Sequence, residues 1–333
     1  MIFTLIICTY KRHKALQQLL DSVKIQSLYP NEILIIDGSP DEETKAFLEN
    51  NIYKNLRYYK VDPEFRGLTK QRNFGIARVG EEAEVVCFLD DDTLLDKDYF
   101  KNLISTYELY PEALGVGGYI TNEIVWKKVT NEYIPTSSEF KFENYLRVEP
   151  LRFKIRKKLH LDTNVPPGFS PLFSHGRSVS FLPPSGKIYP VEQLMGGVSS
   201  FKKEVFQTLS FSNYFEGYGL YEDADFSLRL AKKGKLYINT AAQLEHHHDA
   251  SGRPNKYEYG KMVVRNGWYV WRVKNATPSL NDRLKWNLIT LLLVLIRAVN
   301  IINTNKKKEA FTETIGRLVG WFSLINNSPK GYL

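Results

Sequence analysis

From Ile2 to Ile120 the chain alternates between short β-branched apolar runs and amphipathic stretches, and this alternation restricts the fold more than any other feature of the sequence. The spacing predicts strands over Phe3 to Cys8, Glu32 to Asp37, Leu56 to Lys60, Val85 to Asp90 and Leu114 to Ile120. Between them it predicts helices over Ala15 to Ser27, Asp41 to Asn51, Leu68 to Arg78 and Lys97 to Tyr110. Strands joined through helices run parallel, which makes this an α/β chain. In open α/β sheets ligands bind beyond the carboxyl ends of the strands. Here those ends carry Thr9-Tyr10-Lys11-Arg12, Asp37-Gly38-Ser39 and Asp90-Asp91-Asp92. Neither a dinucleotide fingerprint nor a Walker loop follows any strand, so a bound nucleotide is expected to be held through carboxylates, cations and metal.

The third of these loops is the most demanding. Val85-Val86-Cys87-Phe88-Leu89 runs straight into Asp90, Asp91 and Asp92. Neighbouring carboxylates raise one another's pKa unless a cation is present, and a hard divalent ion with oxygen ligands, Mg²⁺ or Mn²⁺, would relieve the repulsion. The plainer alternative is a polar turn whose first Asp caps a helix starting near Asp96.

With 333 residues, 43% of them hydrophobic, the chain can bury a full core. Its 45 basic against 37 acidic residues give a net charge of +8, which favours an anionic partner without choosing among nucleotide, nucleic acid and acidic membrane. Cys8 and Cys87 both lie in strand-like runs and read as buried thiols of a reducing compartment. Met1 to Cys8 lacks the basic start and cleavage site of a signal peptide, so a cytoplasmic location is expected. Leu288 to Ile296 is shorter than the ~20 residues of a bilayer span and is followed by Arg297, so no spanning helix is expected.

Past Ile120 the alternation stops. Thr121 to Pro190 is broken by prolines and has a basic, aromatic middle from Phe140 to Lys158; it reads either as an acceptor-side or membrane-facing excursion or as a solvated basic helix with aromatics in the core. Gly196-Gly197 leads into a short strand and suggests close backbone approach, to a ligand or to packed neighbours. A Gly-bearing loop then delivers Glu222, Asp223 and Asp225 to a helix start, where they cannot all face one way; dipole complementation alone would also explain acids there. After a strand at Leu236 to Asn239 comes Glu245-His246-His247-His248-Asp249, with half of the chain's 6 histidines, which favours a metal or phosphate role for one of them. Helices are expected over Tyr257 to Lys274, Leu280 to Asn303 and Glu309 to Asn326. In the middle one Leu284, Leu288, Leu291, Leu292, Leu295 and Val299 form a stripe suited to the main domain, a dimer partner or an anionic membrane surface.

Taken together, these motifs make the chain resemble the family-2 glycosyltransferases of the GT-A fold, the large inverting group that builds bacterial polysaccharides. The resemblance covers Phe3 to Arg253, with Thr121 to Pro190 unmatched. It implies an α/β fold with a mostly parallel central sheet flanked by helices, in a transferase domain at 1–255 whose 121–190 is a variable acceptor-side excursion, followed by a helical extension at 256–333. Thr9, Tyr10 and Arg12 resemble the loop lining the nucleotide, Asp37 the residue that hydrogen-bonds the base, and Arg72 the arginine near base and phosphates. Asp90-Asp91-Asp92 resembles the DXD motif, with Asp90 nearer the ribose and Asp92 a metal ligand that His246 completes. Gly196 and Gly197 match the acceptor-side strand, Glu222 the donor-sugar and acceptor segment, and Asp223 the catalytic base, with Asp225 in reserve.

The implied reaction is metal-dependent, inverting transfer from a UDP- or dTDP-sugar, with Mn²⁺ or Mg²⁺, to a hydroxyl of a glycan or lipid-linked acceptor. It would serve cell-envelope polysaccharide synthesis in the cytoplasm, with peripheral attachment to the inner membrane face and homodimerisation as options. A non-catalytic sugar-nucleotide or glycan-binding protein on the same fold is the main alternative. A haloacid-dehalogenase phosphatase wants Thr or Val where Leu94 stands, an EF-hand wants a Gly and a terminal Glu that Asp90 to Asp98 lacks, and no nucleic-acid motif accompanies the basic stretch.

Overall fold

The first strand is apolar on both faces because both are covered. In the computed structural model, which describes residues 1–248 and 254–330, Phe3, Leu5 and Ile7 share a core with Leu16, Leu19, Leu20 and Val23. The opposite face puts Ile6 and Ile36 against Gly75, where a β-carbon would come within 2.9 Å of Ile6. In chain order the elements begin β1 (Phe3–Thr9), α1 (His13–Lys24), β2 (Glu32–Asp37), α2 (Glu43–Glu49), β3 (Leu56–Lys60), α3 (Leu68–Ile76), β4 (Val85–Asp90), β5 (Thr93–Leu95), α4 (Tyr99–Leu109) and β6 (Ala113–Ile120). Next come β7 (Lys127–Lys128), β8 (Glu139–Phe142), β9 (Tyr145–Val148) and α5 (Leu151–Lys158). The chain closes with β10 (Ile188–Val191), β11 (Val198–Lys202), α6 (Glu222–Ala231), β12 (Lys235–His246), α7 (Lys256–Lys274), α8 (Leu280–Asn303) and α9 (Lys307–Asn326). The expected strands and helices up to Ile120 are all present, with ends shifted by up to three residues.

Two compact units divide the chain. One comprises Met1–Ile124 and Leu182–Gly252, the other Val125–Phe181 and Arg253–Leu333. In the first, the central sheet runs β10-β12-β6-β11-β4-β1-β2-β3, with β5 on β12. Strands β4, β1, β2 and β3 are parallel, as the alternation requires. β11 enters antiparallel between β4 and β6, and β6 pairs parallel with β12. The strand order reverses between β1 and β4, where Cys8 pairs with Asp90, and ligands collect at such a switch point.

Two sequence expectations change here. The acidic triplet does not cap a helix: β5 follows it at once, and α4 begins at Tyr99 after Asp98. The strand expected at Leu236 to Asn239 runs on to His246, because a register shift between Ile238 and Gln243 restores pairing with β6 and then adds β5, with His246 opposite Thr93.

The second unit carries the antiparallel sheet β7-β9-β8 and helices α5, α7, α8 and α9. The basic, aromatic stretch contributes to its core: Phe153 and Phe181 are buried, Arg156 is fully buried against His175, and Arg177 lies over Phe153 while paired with Glu149 and Asp162. Helices α7 and α9 approach through glycine, since a β-carbon on Gly316 would fall 2.1 Å from the Tyr257 carbonyl oxygen. The expectation of no spanning helix is corrected for length. Leu288 to Ile296 is only the middle of α8, a helix of 24 residues whose most apolar 18-residue stretch has a mean hydropathy of 1.7, long and apolar enough to cross a membrane.

Candidate active site

At the switch point, β1 and β4 end side by side and their loops interlock through the acidic triplet. Thr9, buried at the end of β1, donates its hydroxyl to Asp91 Oδ2 at 2.7 Å. Arg12 at the start of α1 donates Nη1 to Asp91 Oδ1 at 3.0 Å and lies 3.5 Å from Asp92 Oδ2. Burial, opposed by Arg12 and Thr9 and helped by the charge of Asp92, raises the Asp91 carboxyl to about 7. Asp91 is therefore an inner strut of the loop. Tyr10, by contrast, is exposed.

Asp92 faces the end of β12. Its Oδ1 lies 3.1 Å from His246 Nε2, while His246 Nδ1 lies 3.2 Å from Glu123 just past β6, and His248 Nε2 meets the same Glu123 oxygen at 2.9 Å. A carboxylate on one imidazole nitrogen fixes the ring and leaves the other nitrogen directed at the site. Burial lowers the His246 pKa, but hydrogen bonds to Asp92 and Glu123 and the charge of Asp90 lift it to about 10. Donor atoms of Asp90, Asp92 and His246 all lie within 4.8 Å of one another. Two carboxylates and an imidazole form a set that suits Mn²⁺, with Mg²⁺ served by the oxygens alone, so these residues fit such an ion.

The repulsion expected among the three carboxylates is relieved within the chain itself: Arg12 sits on Asp91 and Asp92, His246 on Asp92, and Arg72 lies 3.7 Å from Asp90. The fit of a divalent ion therefore rests on the donor set, not on the repulsion.

Arg72 joins the two acidic clusters. It lies on α3, is 2% exposed, stacks between Phe88 and Phe211, and pairs closely with Glu222 at the start of α6. Burial pushes the Glu222 carboxyl up while Arg72 draws it down. Glu222 Oε2 is buried with no hydrogen-bond partner among the described residues. The glycine pair makes room for this arrangement: a β-carbon on Gly196 would lie 2.5 Å from Glu222 Oε1, and one on Gly197 would lie 2.1 Å from Asp90 Oδ2. The close approach read from Gly196-Gly197 is thus to the acidic side chains of the site.

The three acids of α6 diverge, as helical spacing demands. Glu222 takes Arg72. Asp225 is fully buried and gives both oxygens to Arg229, at 2.7 to 3.2 Å, so the reserve base is corrected to a structural ion pair. Asp223 is half-buried, and among the described residues its hydrogen bonds come from backbone: Gly196 N–H at 3.1 Å to Oδ2 and Ala224 N–H at 2.8 Å to Oδ1. Burial raises its pKa above the usual aspartate range, against the pull of those two N–H groups.

Asp37 lies at the end of β2. It is fully buried, accepting from Ser39 N–H at 2.8 Å and the Tyr58 hydroxyl at 2.9 Å, and so shapes the 38–39 loop. Glu123 is the residue sequence reasoning missed, because no motif surrounds it and only the pairing of β6 with β12 brings it to His246. Asp249 lies outside the described residues.

Comparison with known proteins gives a consistent picture. The sequence profile of glycosyl transferase family 2 matches residues 4–173, just over half of the chain. A second profile, described as the N-terminal domain of galactosyltransferase, matches residues 176–249. The chain is similar to the glucosyl-dolichyl phosphate glucuronosyltransferase of Haloferax volcanii, at 29% identity over 128 residues, covering 38% of this chain and 40% of that protein. It is also similar to the O-antigen chain rhamnosyltransferase RfbN of Salmonella typhimurium, at 32% identity over 105 residues, covering 31% of this chain and 32% of that one. The chain thus spans less than half the length of these relatives. Among solved structures it is similar to GalNAc-T7 with UDP, GalNAc and Mn²⁺, with a TM-score of 0.53, 17% identity, and coverage of 85% of this chain and 53% of that one, a likeness of fold.

Proposed function

The chain belongs to glycosyl transferase family 2 and has its GT-A fold, and from that premise we propose that it transfers a sugar, with inversion, from a UDP- or dTDP-sugar to a hydroxyl of a glycan or lipid-linked acceptor. The observation that carries the proposal is Asp223: with Glu222 committed to Arg72 and Asp225 to Arg229, it is the carboxylate of its cluster held by backbone N–H groups and set up to accept a proton. The names of the two curated relatives, one acting on a dolichyl-linked sugar and one on an O-antigen chain, support an acceptor of this class. Transfer chemistry is assigned to 1–255, and 256–333 is a helical extension.

In this reading Thr9, Tyr10 and Arg12 line the nucleotide, with Arg12 also holding Asp91 in place. Asp90, Asp92 and His246 would hold Mn²⁺ or Mg²⁺, which when bound neutralises the leaving diphosphate. Arg72 keeps Glu222 and Asp90 apart and adds positive charge beside the donor. Gly196 and Gly197 leave room for the Glu222 and Asp90 carboxylates beside the donor sugar and acceptor. Asp223 takes the proton of the acceptor hydroxyl as its oxygen bonds to the anomeric carbon; the carbon–oxygen bond to the diphosphate breaks, and the nucleoside diphosphate leaves with that electron pair. A single in-line displacement without a covalent nucleophile inverts the anomeric centre. Proton NMR of the product tests this directly: a product with the donor's anomeric configuration overturns the single-displacement reading.

Two expectations follow from the same residues. Excess EDTA should abolish release of nucleoside diphosphate and added Mn²⁺ should restore it, as followed by a coupled assay; release that survives chelation would remove the metal role from Asp92 and His246. The pH profile should also carry the mark of Asp223. Because burial raises its pKa, the protonated, inactive form persists to higher pH than for an ordinary aspartate. Transfer should therefore fall as pH drops through that raised value and recover above it, and an acid limb at the usual aspartate value would contradict the assignment.

A further inference from the structure

Helices α8 and α9 each bury one side and leave the other uncovered. In α8, Trp286, Ile289, Leu292 and Val294 are buried, whereas Leu284, Leu288, Leu291, Leu295, Val299 and Ile302, spaced three and four apart, are each 38–79% exposed. In α9, Ala310, Thr314, Gly316 and Gly320 are buried, whereas Phe311, Ile315, Val319, Phe322 and Ile325 are exposed. Two apolar stripes of this length exceed what a surface usually presents to water.

We infer that these stripes form a docking surface for an anionic phospholipid bilayer, entered from its interface. The charge around them selects this occupant. Residues 280–308 contain one acid, Asp282, against Arg283, Lys285, Arg297, Lys306, Lys307 and Lys308. Three consecutive exposed lysines, Lys306 to Lys308, run from the end of the connecting turn into the first turn of α9. The nearby acids of α9 are already engaged, Glu313 with Arg297 and Arg317, and Glu309 with Lys256 and Lys306, which leaves Arg283, Lys285, Lys307 and Lys308 as the excess positive charge of this face. A second copy would meet a face of the same positive sign, whereas an anionic leaflet offers both an apolar interior and negative headgroups. The high hydropathy of α8 agrees with a lipid environment.

The test needs no transfer activity, so its outcome is independent of the reading of the active site. The full chain is sedimented with phosphatidylcholine vesicles and with vesicles containing phosphatidylglycerol. It should bind the second far better, lose part of that binding in high salt, and be extracted by alkaline carbonate. Leu288→Glu with Leu295→Glu should weaken vesicle binding by about tenfold or more at unchanged helix content. Lys306→Glu with Lys307→Glu, surface changes that leave the apolar packing alone, should abolish the preference for phosphatidylglycerol. Three results overturn the inference: equal binding to both vesicles, resistance to carbonate, which would make α8 a span, and a dimer in sedimentation velocity that Leu288→Glu dissolves in a protein that ignores vesicles.

Discussion

Asp223→Asn should bind the nucleotide sugar as the unchanged protein does and yet transfer it about 10²- to 10⁴-fold more slowly, the usual contribution of a positioned general base. The substitution keeps size and shape, and the remaining amide oxygen can still accept from one of the two N–H groups, of Gly196 and Ala224, that now hold the carboxylate. Proton acceptance is lost. Asp225→Asn makes the useful contrast: it breaks a buried pair with Arg229 and should lower the melting temperature, whereas Asp223→Asn should leave it nearly unchanged. Donor affinity by calorimetry, turnover and thermal melting together separate the two roles. Turnover in Asp223→Asn at the normal rate would sink the base assignment.

Gly197→Ala should be nearly as damaging, by a different route. The added methyl would sit 2.1 Å from Asp90 Oδ2 and 2.2 Å from its carboxyl carbon, inside any tolerable contact. Asp90 cannot yield by moving as a whole, because its backbone N–H is bonded to the Gly197 carbonyl at 3.0 Å in the β4–β11 ladder. The side chain must swing away from Arg72 and from the donor set it shares with Asp92 and His246. We expect a stability loss of about 1–3 kcal/mol from overpacking, together with loss of tight Mn²⁺ binding and a fall in transfer of at least about a hundredfold by electrostatic misplacement. Manganese binding followed by electron paramagnetic resonance reports the displacement without reference to turnover; wild-type affinity in Gly197→Ala would show that Asp90 is not a ligand.

These two residues also show where the sequence was sufficient. The strand Val85–Asp90 and the acidic loop after it could be placed from pattern alone, because an apolar run that ends in charge has few other destinations in a parallel sheet. Arg72, Glu222 and the glycine pair were each visible as separate motifs, but their mutual contact was not, since it depends on β11 entering antiparallel beside β4. Glu123 gave no local signal. His246 looked like a residue beyond a strand because the pairing pattern is interrupted after Ile238 and resumes at Gln243, and only tertiary pairing restores it. Asp225 could have been sorted correctly: Arg229 stands four residues on, the spacing of a helical ion pair. For α8 the difficulty was different. A helix apolar on most of its circumference does not say which side its neighbours will cover, and the uncovered stripe appears only once α9 and α7 are in place.

Turnover of a nucleotide sugar at this site is what the proposed function requires. Release of nucleoside diphosphate, measured across a panel of UDP- and dTDP-sugars with Mn²⁺ and then with chelator, addresses it most directly. We expect metal-dependent release from at least one donor, lost in Asp92→Asn; donors that bind without any release would make the chain a sugar-nucleotide binding protein on a transferase fold.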